Sequence, residues 1–500
     1  MPAIQFSNMR ASLELSKNQV ACPPQALVQG HTGKVPTSSK PIVLGAVKQR
    51  KLARVSDALQ VAAVFGVLIP LLAMLADGAA ANLDTSFSWI NFVNRFSALS
   101  GTALLLLHLV LVARVPWIEA IVGLDRLTGA HKKLGKPLLY ILSVHVATAI
   151  WASANQNEIS LWDGLLSLVA HYQEMLIALV GFGLMIAVTV SSINAARRKL
   201  SYEVWYLIHL TSYIAVLLSI PHQFEFGSEF LAQPWLSTYF ASLYIFVLVN
   251  VVWFRSLQPV VRSLTGGIKV VKVEPTGNNS TSIYISGNKT KSFDFKSGQF
   301  FMVRVMTLRD FWKPHPFSAS SSTGDKHLRF TIGNRGDFTA RMQSIKVGTR
   351  IVLEGPYGIF TEAKRTKQKV TLIAGGIGVA PIRSLAQQLA SKPKDLTILY
   401  RANSAADAAL AKELAVISKE KGHSLHVLTG ERSSKVPWLP KSVTDGSDLP
   451  DYALLTQLAP EILNSDIYVC GPTQWTNEFL GTLKKLSIPK SQIHVEEFAW

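Results

Sequence analysis

The sequence predicts a multi-domain membrane protein: a six-helix transmembrane bundle, then an antiparallel β-barrel, then an α/β domain. Three observations predict it. Six apolar stretches lie between residues 56 and 254, each close to the ~20 residues that cross a ~30 Å hydrocarbon core as helix. Past residue 262 the apolar residues fall into short runs rich in β-branched and aromatic side chains, separated by Gly, Asn and Ser turns. From Val370 the pattern becomes strand, glycine loop, helix, the alternation that builds a parallel sheet.

Composition agrees with a membrane part joined to a soluble part. The 500 residues are 48% hydrophobic and include 11 Trp. A net charge of +18 would suggest nucleic acid in a soluble chain. Here the basic loops that flank the spans explain much of it, so the expected partner is a lipid bilayer and no nucleic acid. Two cysteines, Cys22 and Cys470, stand far apart and offer neither a disulfide framework nor a zinc site. Residues 1–50 are polar, rich in Pro, Ser and Gly, and lack an apolar run of signal-peptide length. They read as a flexible tail.

The spans fall at about 56–76, 93–113, 134–153, 170–190, 203–221 and 236–254. Lys48, Arg50, Lys51 and Arg54 precede the first, Arg114, Arg126, Lys132 and Lys133 follow the second, and Arg197, Arg198 and Lys199 follow the fourth. Arg255 and Arg262 follow the sixth, while loops 77–92, 154–169 and 222–235 hold no Lys or Arg. The positive-inside rule therefore predicts a multi-pass protein of the cell membrane with both termini cytoplasmic.

Within residues 51–262, the predicted transmembrane domain, spans three and five each carry two histidines. His131 and His145 are 14 residues apart, and His209 and His222 are 13 apart. Either spacing is roughly 20 Å of helix. Both spans run outward, so depth pairs His131 with His209 near the cytoplasm and His145 with His222 near the outer side. Ionisable residues at such depth usually serve function. Neutral imidazole ligates haem iron, so two tiers suggest two stacked haems, whereas lone His108 reads as bonded to a neighbouring helix. One difficulty is angular. At ~100° per residue, 14 steps return His145 to within about 40° of His131, but 13 steps leave His222 roughly 140° from His209. Span five must be distorted, and Pro221 is the evident place.

The soluble part divides into residues 263–365 and 366–500. HPFSASSS begins at His315; an aromatic beside small hydroxyls can stack a flavin ring and reach its N5. NRGDFTARM puts Gly336 and Thr339 at an apparent helix start, suited to pyrophosphate. LEGPYGIF supplies a rigid turn at Gly355–Gly358. VTLIAGGIGVAPIRSL places Gly375, Gly376 and Gly378 between a strand and a helix whose early turn holds Pro381, a layout that admits phosphate close to the backbone. IYVCGPTQW sets Cys470 at a strand end facing the expected crevice.

The paired histidines with HPFS, GDFT, GPYG, GGIGVAP, LYRAN, CGP and a terminal aromatic occur in one order, and in that order the chain from about residue 56 resembles the ferric reductase and NADPH oxidase superfamily. Residues 263–500 resemble ferredoxin–NADP reductase. The resemblance implies that His131 and His209 ligate an inner b-type haem and His145 and His222 an outer one. It implies FAD on His315, Pro316, Phe317 and Ser318, with Phe317 against the ring, Ser318 near N5, and Gly336 and Thr339 at the phosphates. Gly375, Gly376, Gly378 and Pro381 would cradle the nicotinamide nucleotide, with Cys470, Gly471 and Pro472 near the nicotinamide. Arg401 would meet the 2′-phosphate, favouring NADPH over NADH. Phe498 would cover the flavin, a role Trp500 can share. Arg95 matches an arginine that the oxidases place by the outer haem, and an interfacial snorkelling residue is the other reading.

The implied activity is a transmembrane NAD(P)H-dependent flavocytochrome oxidoreductase carrying electrons from cytoplasmic NADPH through FAD and two haems to an extracytoplasmic acceptor. Oxygen, giving superoxide, and ferric chelates both fit. Ala149 stands where the oxidases carry a further histidine, which weakens the oxygen reading. Two alternatives remain open: a haem-bearing relay subunit that reduces an extracytoplasmic partner protein, and a transporter with a fused regulatory domain and no haem.

Overall fold

The computed structural model describes residues 44–288, 294–389 and 391–497. Most of the expected tail, and the expectations for Phe498 and Trp500, lie outside the described residues. Helix α1 (Leu44–Ala76) begins inside the stretch expected to be tail.

Six helices are long and apolar enough to cross a membrane: Arg50–Ala76, Ser86–Val110, Leu124–Gln156, Gln173–Ser192, Tyr202–Phe226 and Pro234–Gly266. They carry apolar side chains on their outer faces, among them Val64, Leu72, Val180, Leu207 and Ile245, as a lipid-facing surface requires. Inside, Leu99, Leu106, Leu138, Val216 and Phe240 form the bundle core. Helix α2 (Ser86–Val110) starts at a capping box, Thr85 with Ser88. A short helix α3 (Pro116–Val122) links it to α4 (Leu124–Gln156). Helix α5 (Gln173–Ser192) packs on α6 (Tyr202–Leu218), which is capped by Ser201.

The fifth span is interrupted where the histidine spacing requires it. Helix α6 ends at Ser219, and α7 (Ile220–Phe226) resumes with Pro221 in its first turn, where its missing N–H costs nothing. The sixth span is α8 (Pro234–Asn250), a π-helical stretch Val251–Leu257, and α9 (Gln258–Gly266). Pro259 cannot donate to the Arg255 carbonyl, which accounts for the widened turn. Gly267, at φ +59, ends this helix four residues beyond the expected domain boundary at 262.

The expected barrel takes a different form. β1 (Lys269–Pro275), β2 (Ser280–Ser286) and β5 (Leu328–Gly333) make one three-stranded sheet. β4 (His315–Ser318), β3 (Phe300–Val305) and β6 (Ile351–Tyr357) make another. Only the isolated bridges Lys269–Arg350 and Ala319–Phe330 join them, so among the described residues the ladder is not closed. The sheets share an apolar core of Val270, Ile283, Phe301, Phe330 and Leu353, which holds them face to face without continuous backbone pairing.

The last domain is a five-stranded parallel sheet in the order β11-β10-β7-β8-β9. Its strands are β7 (Lys369–Gly375), β8 (Leu396–Ala402), β9 (Ser424–Thr429), β10 (Ser465–Gly471) and β11 (Ile493–Glu497). β7 lies between β8 and β10, so successive connections leave in opposite directions there. That switch point opens the crevice in which such sheets bind ligands.

Candidate functional site

The four histidines form two tiers. On α4 and α6, the rings of His131 and His209 have centres 6.0 Å apart; on α4 and α7, those of His145 and His222 are 6.4 Å apart. An imidazole nitrogen sits ~2 Å from a bound metal, and two rings with one metal atom between them need about this separation. Three rings are steadied through Nδ1: His131 lies 3.2 Å from the His108 carbonyl, His145 3.4 Å from the Asn94 carbonyl, and His209 3.5 Å from Ser192 Oγ. That leaves Nε2 on each as the coordinating atom. Each tier opens into its own cavity, of about 980 Å³ at His145 and His222 and about 1000 Å³ at His131 and His209. Leu105, Met185 and Val216 line both and form the partition between them. The donor set and the apolar walls fit haem.

Sequence reasoning missed two residues here. His108, read as a lone core histidine, stacks on His131 with ring centres 3.7 Å apart and lines the inner cavity. Asn94 donates to the His145 carbonyl at 2.9 Å and to Thr148 Oγ1 at 3.0 Å, tying α2 to α4 at the outer tier. Arg95 is paired with Glu229, whose side chain is buried in the loop after α7, so it is held by a protein carboxylate and does not snorkel alone.

The soluble domains dock against the end of the bundle that carries the inner tier. Glu119 of α3 accepts the Gly358 N–H at 2.7 Å. Burial lifts its carboxyl to about 7, against that hydrogen bond. Glu354 of β6, with a fully buried side chain, is gripped by Arg114 after α2 and by Arg304 of β3. Lys313 pairs with Glu203 at 2.7 Å, and Trp312 stacks on Tyr206 at 6.0 Å, one helical turn before His209. The HPFS strand thus begins three residues after a ring that touches the span of an inner-tier histidine.

At that strand His315 stacks on Phe338 with centres 3.6 Å apart, and Phe317 lies parallel to Phe338 at 6.2 Å. Burial lowers His315 to about 4, so its ring is neutral at physiological pH. Pro316 and Phe317 face Met302 and Phe301 across the sheet, and Ser318 is buried at its end. Gly336 caps the short helix Asp337–Met342 with open space over its Cα, and Thr339 Oγ1 donates to its carbonyl at 2.9 Å. Phe338 was passed over in the sequence because GDFT drew attention to its small residues.

The crevice of the parallel sheet is lined by Gly375, Gly376, Arg401, Arg432, Pro472 and Trp475 among others. Gly378 is required by close packing, since a Cβ there would meet the Cys470 carbonyl at 2.1 Å. Pro381 sits buried in the helix Val379–Gln388. A Cβ on Gly471 would strike the Trp475 ring at 2.7 Å. Cys470 departs from expectation: its side chain lies wholly in the core between β7 and β11 instead of facing the crevice, and burial, with Glu496 nearby, pushes its thiol well up. Residue alternation explains this, because strand neighbours point to opposite faces.

Known proteins were compared last. Residues 97–220 match the ferric reductase like transmembrane component, 266–361 an FAD-binding domain and 372–478 an oxidoreductase NAD-binding domain. The reductase component of propane 2-monooxygenase from Mycolicibacterium goodii is 27% identical over 253 residues, 47% of this chain and 70% of that protein. Respiratory burst oxidase homolog protein B of Arabidopsis thaliana is 26% identical over 227 residues, 39% of this chain and 26% of that protein. The chain thus spans about a quarter of the plant oxidase it matches. Among solved structures, ferredoxin-NADP+ reductase from Plasmodium falciparum aligns with 46% of this chain and 95% of its own, at 19% identity and TM-score 0.39.

Proposed function

We propose, for a chain that belongs to the ferric reductase and NADPH oxidase superfamily, that it is a transmembrane NAD(P)H-dependent oxidoreductase delivering cytoplasmic electrons to an acceptor across the membrane. The observation that carries this reading is the pair of histidine tiers, each with its own cavity, stacked above a flavin-type and a nicotinamide-type domain in one polypeptide. When bound, FAD and two b-type haems would supply the redox chemistry, converting a hydride pair into single electrons.

This chain's residues do the rest. His131 and His209 would hold the inner haem, and His145 and His222 the outer one. Arg255, Lys132 and Lys136 border the inner cavity and suit haem carboxylates. His315, Pro316, Phe317 and Ser318 would orient the flavin, with Gly336 and Thr339 toward its phosphates. Gly375, Gly376, Gly378 and Pro381 would seat the nucleotide. The apolar walls exclude water from the path, and Leu105, Met185 and Val216 set the gap between tiers. With the soluble domains on the inner-tier side, the positive-inside rule puts both termini in the cytoplasm, and the outer tier faces the acceptor, oxygen or a ferric chelate. Phe498 or Trp500 would cover the flavin.

The test is anaerobic reduction of the detergent-solubilised protein by NADPH, followed by oxygen or a ferric chelate. Haem absorbance that reduces with NADPH and reoxidises on adding one of them is expected, and it names the acceptor. A purified protein without a Soret band would refute the reading and favour a transporter. Stable reduced haem that reoxidises only with an added protein would indicate a relay subunit.

A further inference from the structure

We propose, resting on the nucleotide reading above, that Arg432 and not Arg401 binds the 2′-phosphate of NADPH, and that Glu478 is the internal anion this phosphate displaces.

The sheet order decides which end of the nucleotide lies where. The nicotinamide end belongs at the β7–β10 switch point, where Glu496 of β11 approaches the Gly358 turn of the flavin domain. The adenosine end must then run outward across the carboxyl ends of β8 and β9. Two arginines stand there, and their environments differ. Arg401 is only 7% exposed. Its guanidinium donates to the carbonyls of Ala402, Leu428 and Gly430, the last at 2.7 Å. It clamps β8 to β9, and moving it onto a phosphate would strip three backbone carbonyls of their donor.

Arg432 lies in the loop after β9, lines the same crevice, and keeps 45% of its side chain exposed. Its Nε donates to the Pro437 carbonyl at 2.7 Å, which fixes the plane of the fork, and its Nη2 pairs with Glu478. A guanidinium has five donors, so these contacts leave capacity for an anion. A solvent-exposed ion pair holds weakly, and a phosphate offers more charge and a bidentate geometry. The other crevice cation, Arg335, lies 3.8 Å from the Cβ position of Gly376, which assigns its charge to the pyrophosphate. Asp407 also lines the crevice, its carboxylate accepting from Ser404 Oγ at 2.7 Å. It is the group a free ribose hydroxyl would meet if the protein preferred NADH.

Calorimetric titration of the full-length protein in detergent with adenosine 2′,5′-bisphosphate and with 5′-AMP separates these roles. The bisphosphate is expected to bind the wild type more tightly than 5′-AMP. Arg432→Ala should lose roughly tenfold in bisphosphate affinity with 5′-AMP unchanged. Arg432→Lys should recover part of that loss, and Glu478→Gln should tighten the bisphosphate. Arg401→Ala should weaken both ligands together and lower the thermal midpoint, as loss of a strand clamp would. A bisphosphate-specific loss at Arg401 with Arg432→Ala unaffected overturns the assignment, as does equal wild-type affinity for both ligands. A wild type that binds neither would instead sink the nucleotide reading itself.

Discussion

His145 and His222 come from helices whose local sequences share nothing except an imidazole, and their depth alone makes them a pair. Replacing either by Ala is expected to remove mainly the outer haem while NADPH still reduces the flavin; full haem content by pyridine haemochromogen assay would count against the assignment. Glu119 carries a different residue-scale consequence. Its carboxyl is raised from an ordinary 4.5 to about 7, so the folded protein holds a proton that the unfolded chain has already released. Stability present at low pH is therefore lost as pH rises from about 4.5 toward 7. Glu119→Gln keeps an acceptor for the Gly358 N–H and should flatten the pH dependence of the thermal midpoint over that window. Equal slopes in the two proteins would show that Glu119 does not govern it. The histidines were legible because a polar residue inside an apolar run is conspicuous. Asn94, His108 and Phe338 were not, since each matters only through a neighbour 23 or more positions away or on another strand.

At the scale of elements, the fifth span is the informative one. Thirteen residues on an unbroken helix would turn His222 away from His145, and the interruption at Ser219 restores the pairing. Inserting one alanine between Ser219 and Ile220 would rotate α7 by ~100°. The expected result is loss of the outer haem with the inner one retained, read from the haem-to-protein ratio. The packing of α5 on α6 depends on Gly181, where a Cβ would lie 2.8 Å from the Ala215 carbonyl. Gly181→Val should cost about 1–3 kcal/mol through overpacking, seen as a lower midpoint of unfolding in detergent. An unchanged midpoint would mean that the helices can separate at no cost. Six spans were readable because twenty apolar residues are a strong signal. The two small sheets were less so: short alternating runs specify strands but not whether their edges meet.

Across the whole molecule, function needs the flavin domain held against the inner tier. Arg114, Glu354 and Arg304 form a buried triad across that junction, with Glu119, Lys313 and Trp312 around it. Removing the central carboxylate leaves two buried guanidinium groups without their partner, a loss of about 3–5 kcal/mol for such pairs. Glu354→Ala is therefore expected to keep flavin reduction by NADPH while slowing haem reduction, followed by stopped-flow absorbance. Parallel slowing of both steps would place the defect within the flavin domain itself.

The sequence by itself determined the domain order, the number of spans and the residues expected at each cofactor, because hydropathy, charge asymmetry and motif order are local properties of the chain. Only the tertiary structure decided which side chains are free to act. It buried Cys470 in the core, committed Arg401 to backbone carbonyls and left Arg432 at the crevice with an exchangeable partner. It also broke the fifth helix where two histidines must share one cavity. Accessibility and pairing arise from contacts between residues far apart in the chain, and no local pattern records them.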